Sequence, residues 1–452
     1  MSFDSVLVAG MGKSGAATVK VIRDRAKSVS VYDIKKEEDI EENLRRYLKK
    51  ECEYCFFGIE PDEDTVKKFD MLILSPGISP KLNFVKYAQQ AGIEITGELE
   101  MAYRLGKGRY IAITGTNGKT TTTSLVGEIV EKSGLNTVVA GNIGLPVISE
   151  VIGADENTVF VTEVSSFQLE TVSRFSPEVS AILNITPDHL DRHGSLENYA
   201  EAKGRIFKNQ GENQYLIVNR DDELAWQTAL SAKCRVVPFS RKTEQNFGCF
   251  LRDEKIVIAN GKNEIEIIKV SDIKIPGTHN LENVLAACGI CYFFGIKVED
   301  IRRGIIEFQG VEHRIEPVLE INGVRYVNDS KGTNVDAAIK AVEAMGYNII
   351  LIAGGYDKGA DFHEFINAFC GRVKHMLVLG ATKEKLKKSA LDQGFTDVTE
   401  VSDIGEAVQI ASELAVCGDV VLLSPACASW GMYDNFEQRG KHFKECVQKL
   451  IK

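Results

Sequence analysis

Residues 110–121, YIAITGTNGKTT, run an apolar, β-branched segment into a loop holding two glycines, a lysine and three threonines. The segment Tyr110–Thr114 predicts a strand buried on both faces, as in a parallel sheet. The loop has the parts that hold a triphosphate. Gly115, Thr116, Asn117 and Gly118 free backbone N–H groups, Lys119 reaches terminal phosphates, Thr120 offers a hydroxyl to Mg²⁺, and Thr121 continues into a helical stretch. The loop is two residues shorter than G-x-x-x-x-G-K-[ST], so a different family of phosphate loop is implied.

Downstream, the run TVFVTE ends at Glu163, where a strand-end carboxylate at the carboxyl edge of a parallel sheet would meet the metal of that loop. His189 in NITPDHLDRHG follows another strand end, and Lys203 lies in the helix-like YAEAKGRIF; a lone His or helix Lys is more often solvated than functional, so the residues alone favour the solvated reading for each. Upstream, VLVAG enters Gly10-x-Gly12-x-x-Gly15, and a second strand ends at Asp33. Glycines at that spacing let a diphosphate approach a helix N-terminus. Such a turn suits an NAD-dependent oxidoreductase, but that reading leaves the second loop and Glu163 unused.

The surrounding chain is consistent with a large enzyme. At about 150 residues per domain, 452 residues suggest three domains. Apolar residues at 44% and charged residues at 26% exclude a disordered or collagen-like chain. A net charge of −10 argues against a broadly basic surface for nucleic acid or lipid. The apolar run Val284–Ile296 falls short of the roughly 20 residues that span a bilayer, so no membrane span is expected. The opening residues have no basic n-region before a long apolar stretch, so they read as a first strand rather than a signal peptide, and a cytoplasmic protein is expected. Cys52-x-x-Cys55 and Cys288-x-x-Cys291 lie far apart and the second pair sits in the apolar run, which favours reduced structural thiols over a zinc site.

Short β-rich runs alternate with helical stretches throughout, giving the α/β class. Seams fall near Gly97 and Gly310, so the expected domains are 1–97, 98–310 and 311–452. Residues 240–275 predict an antiparallel hairpin turning at Asn260-Gly261.

The motifs GTNGKTT, VTEVSSFQLE, NITPDHLDRHG, GTHNLEN, EHR, NDSKGTN and GGYDKGADF, in that order, resemble the Mur ligases of bacterial cell-wall synthesis over nearly the whole chain. The opening GMGKSG, NDSKGTN and the tail SPACASWGMYDNFEQRGKHF are similar to the D-glutamate-adding branch. Asp-Asn-Pro-Arg, the mark of diaminopimelate-adding relatives, is absent. The resemblance implies a Rossmann-like N-terminal domain for a UDP-sugar, a central P-loop ATPase-type domain and a C-terminal Rossmann-like domain for the incoming amino acid. It further implies an ATP-dependent ligase joining D-glutamate to UDP-N-acetylmuramoyl-L-alanine through an acyl phosphate, with a sibling acceptor amino acid as the alternative. Residues 115–121, Asn283, Arg314, Asp329 and Lys331 would hold ATP. Thr120, Glu163, His189 and Lys203 as a carbamate would hold two Mg²⁺ ions. Gly12, Lys13, Ser14, Asp33, Ser75, Gly77 and Asn142 would take the UDP-sugar, and Thr333, Lys358, Ser429 and Phe436 the D-glutamate. Tyr356 and Trp430 depart from common residues around that last pocket. A monomer is expected, closing about a hinge near Gly310.

Overall fold

The computed structural model of the chain describes residues 3–357 and 359–451; Lys358, expected at the amino-acid pocket, lies outside them. The described chain forms three sheets, each built where apolar runs pair in parallel and helices cover them. The first holds β1 (Phe3–Ala9), β2 (Ala26–Asp33), β3 (Cys55–Phe57), β4 (Met71–Leu74) and β5 (Glu94–Gly97), in the order β3-β2-β1-β4-β5. The order reverses between β1 and β4, the place where such sheets open a crevice at their carboxyl edge.

The second sheet holds β6 (Arg109–Thr114), β7 (Thr137–Gly141), β8 (Val159–Glu163), β9 (Val179–Ile182), β10 (Tyr215–Asn219), β11 (Arg235–Ser240), β12 (Phe247–Arg252), β13 (Lys255–Asn260) and β14 (Glu264–Lys269). Its order is β14-β13-β12-β11-β10-β9-β6-β8-β7, with β12, β13 and β14 antiparallel and the expected turn at Asn260-Gly261 joining the last two. β6 therefore has parallel neighbours on both sides, and its residues from Tyr110 to Thr114 are all buried.

The third sheet holds β15 (Glu316–Ile321), β16 (Val324–Asn328), β17 (Ile349–Gly354), β18 (Val373–Leu379), β19 (Val398–Glu400) and β20 (Val420–Leu423), in the order β15-β16-β20-β17-β18-β19. The last strand returns between β16 and β17, so the ends of those three strands are adjacent.

The chain divides into two compact units: residues 1–272 with 282–307, and residues 273–281 with 308–452. The first unit contains the first two sheets because one apolar core is continuous through both, from Val6 and Val31 of the first to Ala112 and Phe160 of the second. Most of the apolar run Val284–Ile296 lies in the helix Thr278–Phe294, which ends two residues before the run does, and among the described residues no helix is long and apolar enough to cross a membrane. All ten cysteines are free thiols.

Candidate functional site

In the second sheet, Ile113 of β6 pairs with Glu163 of β8 and Thr114 with Ile182 of β9. This register delivers three things to one edge: the loop Gly115–Thr121, the Glu163 carboxylate and the segment after β9. Gly118 stands at φ +83°, heading the helix Lys119–Lys132, and a Cβ there would lie 2.2 Å from Asn283 Oδ1. Asn283 also accepts from Thr122 Oγ1 at 3.3 Å, so it packs directly beneath the loop. Asn184 straps the other side. Its Oδ1 accepts from the Asn117 N–H at 2.8 Å, and its Nδ2 donates to the Asn117 carbonyl at 3.0 Å. Thr116 Oγ1 donates to the Thr186 carbonyl at 3.1 Å, and Thr120 and Thr121 are buried in the first turn of the helix.

Two lysines meet on one carbonyl. Lys119 Nζ donates to the Gly115 oxygen at 2.9 Å and to that of Thr116 at 2.8 Å. Lys203 Nζ donates to the same Gly115 oxygen at 2.8 Å, with the Tyr199 ring centroid 4.4 Å away. Lys203 is only 1% exposed. Burial, reinforced by the Lys119 charge, holds its ammonium well below the usual lysine range, against the opposing pull of Asp188 and Glu163. The site thus disfavours the charged form of this amine.

Glu163 is equally enclosed. Its Oε1 accepts from Asn142 Nδ2 at 2.8 Å, while Oε2 is buried without a hydrogen-bond partner. A carboxylate oxygen stranded in this way is costly unless a cation satisfies it, so the residues fit a divalent metal here. Asn142, expected on the UDP-sugar, is here the residue that orients Glu163. His189 takes a left-handed conformation, φ 53°, at the head of the one-turn helix Leu190–His193. Its ring meets Phe167 edge-on at 4.9 Å, and Nε2 lies 3.6 Å from Asp188.

At the crevice of the first sheet the three glycines differ. A Cβ on Gly15 would lie 1.7 Å from the Gly10 carbonyl, and one on Gly10 would meet Ser75 and Ile78 within 2.9 Å. Those two are required by packing. Gly12, and Gly77 on the facing loop, would place a Cβ in open space, so internal packing does not account for them. Lys13 and Ser14 begin the helix Lys13–Ile22. Ser75 Oγ donates to the Gly10 carbonyl at 2.8 Å. Asp33 accepts the N–H of Met11 at 2.5 Å and that of Lys35 at 2.8 Å, bracing the turn.

The third sheet gathers the remaining residues in the second unit. Asp329 follows β16 and is 1% exposed; its Oδ2 accepts from Ser424 at 2.8 Å. Burial pushes its carboxyl up to about 6, against the pull of Arg314, whose Nε is itself buried without a partner. Lys331 Nζ sits 5.1 Å from the Phe436 ring centroid, and the Thr333 N–H donates to the Lys331 carbonyl at 2.9 Å. Ser429 is buried, and Tyr356 bonds Ala428 beside it, its ring 5.6 Å from Trp430.

Sequence reasoning missed Arg439, which is 2% exposed and donates to Ser330 Oγ, the Ser330 carbonyl and the Cys427 carbonyl at 2.8–3.1 Å. Burial lowers this guanidinium to about 10. The signal was available: Phe436, Arg439, Gly440 and Phe443 share one helical face. Asn184 and Asp188, beside the expected His189, were also missed.

Three family models match in succession: Mur ligase MurD-like, N-terminal domain over residues 4–97; Mur ligase middle domain over 113–291; and Mur ligase, glutamate ligase domain over 313–427. A UDP-N-acetylmuramoylalanine--D-glutamate ligase of Thermoanaerobacter sp. (strain X514) is 48% identical over 98% of both chains. One of Alkaliphilus oremlandii is 49% identical over 99% of this chain and 98% of its own. The fold is similar to that of the UDP-N-acetylmuramate-alanine ligase of Thermotoga maritima, with a TM-score of 0.61 at 19% identity over 99% of each chain. With its three sheets matched end to end and nearly half its residues shared with these relatives, the chain belongs to the Mur ligase family.

Proposed function

We propose that this chain uses ATP to join D-glutamate to UDP-N-acetylmuramoyl-L-alanine in peptidoglycan precursor synthesis, through domains 1–97, 98–310 and 311–452. The observation that carries the chemistry is the pairing of Lys119 and Lys203 on the Gly115 carbonyl, at the edge where Glu163 presents a stranded oxygen. The 48–49% identity with D-glutamate ligases along nearly the whole chain supports the choice of acceptor.

On this reading the alanyl carboxylate oxygen attacks the γ-phosphorus of ATP, the bond to the β-phosphate oxygen breaks, and ADP leaves. The D-glutamate nitrogen then attacks the acyl carbon, expelling phosphate and losing a proton as the amide forms. Lys119 leaves the loop carbonyls for the phosphates and stabilises their charge. Glu163, His189 and Thr120 are the groups that would hold Mg²⁺, with Lys203 joining them once its neutral amine has added CO₂ to become a carbamate. Bound there, Mg²⁺ would neutralise charge developing on phosphoryl oxygens. Asn142 keeps Glu163 aimed. Gly12 and Gly77 leave room for the UDP diphosphate. Thr333, Ser429, Phe436 and Lys358 are the residues assigned to D-glutamate, whose two carboxylates must be satisfied together.

Phosphate release tests the reading. ATP with UDP-N-acetylmuramoyl-L-alanine should release phosphate with D-Glu far faster than with L-Glu, D-Ala, L-Lys or diaminopimelate. Equal turnover with L-Lys overturns the acceptor assignment.

A further inference from the structure

We propose that Arg192 is a positioning residue that ties the loop Ser75–Ile78 to the segment carrying His189, so that seating of the sugar nucleotide is transmitted to the metal side of the site. The inference rests on the functional reading above, which puts the sugar nucleotide against Gly12 and Gly77.

The contacts are specific. Arg192 Nη1 donates to the Pro76 carbonyl at 3.0 Å and Nη2 to the Ile78 carbonyl at 3.2 Å. The guanidinium is anchored from behind by Glu170, with Nη2 at 2.6 Å and Nε at 3.3 Å from its two oxygens. Both side chains are largely enclosed, 16% and 22% exposed. A buried charge pair that also reaches two backbone carbonyls fixes orientation more than it adds stability.

The two ends of this strut lead to the two proposed ligands. From Pro76 and Ile78 the path continues to Ser75, whose hydroxyl bonds the Gly10 carbonyl at the start of the glycine turn. At the other end, the Arg192 N–H donates to the His189 carbonyl at 3.1 Å, so Arg192 and His189 share one helical turn. Phe167 adds a second link: its ring carries the Arg192 guanidinium at 4.2 Å on its face and His189 at 4.9 Å against it. A shift of the Ser75–Ile78 loop therefore moves the guanidinium, and with it the platform on which His189 rests. Only a planar fork can serve two carbonyls and a carboxylate at once; a lysine in the same place offers a point charge.

The test compares the full-length parent with Arg192→Lys and Arg192→Ala. The KM for UDP-N-acetylmuramoyl-L-alanine should rise about tenfold in both, the scale expected when charged hydrogen bonds are lost. The KM for ATP should stay within about twofold of the parent. Arg192→Lys should be no better than alanine despite its charge, and it keeps the test open if the alanine variant folds poorly. Hydrogen exchange gives the readout that a purely structural role would not move: sugar nucleotide without ATP should protect Leu190–His193 in the parent and leave it unprotected in Arg192→Lys. Unchanged sugar-nucleotide KM, rescue by lysine, or equal protection in parent and variant would each overturn the inference. A parent that fails to bind the sugar nucleotide overturns the functional reading and this inference together, whereas a binding parent with unaltered variants overturns the inference alone.

Discussion

Replacing Lys203 separates its contribution to the fold from its contribution to chemistry. Lys203→Met keeps the stem volume and removes one hydrogen bond, the one to the Gly115 carbonyl, which Lys119 also serves. Such a bond contributes about 1 kcal/mol net, and burying a thioether in place of an amine offsets it, so the fold should be retained within about 1 kcal/mol. Lys203→Ala leaves a cavity and should cost roughly 2–5 kcal/mol, as large-to-alanine truncations in a core do. Both variants lose the carbamate, and phosphate release should fall by about 10²–10³-fold, the scale of removing one preorganised electrostatic partner. Acetate or propionate should then restore activity to Lys203→Ala, where there is room, and not to Lys203→Met, where the space is filled. The pH dependence has a definite sign. The native amine binds its proton less tightly than the unfolded chain, so stability rises with pH from the depressed native value towards 10.5, and that rise should vanish in Lys203→Met. Chemical denaturation across pH, alongside a phosphate-release assay with and without acetate, measures all of this. Full activity of Lys203→Met without added carboxylate would refute the reasoning.

Two further substitutions read other parts of the structure. Gly12→Ala adds a methyl into open space at φ −71°, so stability should stay within about 0.5 kcal/mol while the KM for the sugar nucleotide rises; a titration showing unchanged affinity refutes the diphosphate assignment. Glu98 is 2% exposed, its Oε1 accepting the Ile148 N–H at 2.7 Å, and burial pushes its carboxyl from 4.5 up to about 7. The native state holds that proton longer than the unfolded chain, so stability falls as pH climbs from 4.5 through 7, by about 3 kcal/mol at most. Glu98→Gln should match the parent at pH 4 and exceed it at pH 8, as read by Trp226 fluorescence in a Trp430→Phe background; an equal deficit at both pH values contradicts the burial argument.

The sheets were legible where pairing leaves a local mark. NIILIAG became β17 because a strand covered on both faces must be apolar throughout, and the turn at Asn260-Gly261 follows from local backbone preference. The return of β20 between β16 and β17 was not legible, because strand order is set by pairings between residues distant in sequence. The same divide runs through the site. The loop 115–121 declares itself in one short segment. Lys203 does not: Glu201 two residues earlier is exposed, and burial of Lys203 depends on the Gly115 carbonyl arriving from 88 residues away, so only the family resemblance singled it out. The bond between Asn142 and Glu163 was not legible for a related reason, since the two residues follow neighbouring strands far apart in sequence.

The placement of β6 between two parallel partners has a consequence for how such a chain diversifies. Opening the base of the nucleotide loop requires rupture of two hydrogen-bonded ladders, so its amides should exchange with solvent only through large-scale unfolding, while those in the Gly12 turn and the Ser75–Ile78 loop exchange through local opening. Mutational tolerance divides in the same way. A change that disturbs β6 removes fold and phosphate chemistry together, leaving selection no intermediate to work on, whereas the loops that follow β1, β4, β16 and β20 can alter which sugar nucleotide or amino acid is accepted while the sheets beneath them stay intact.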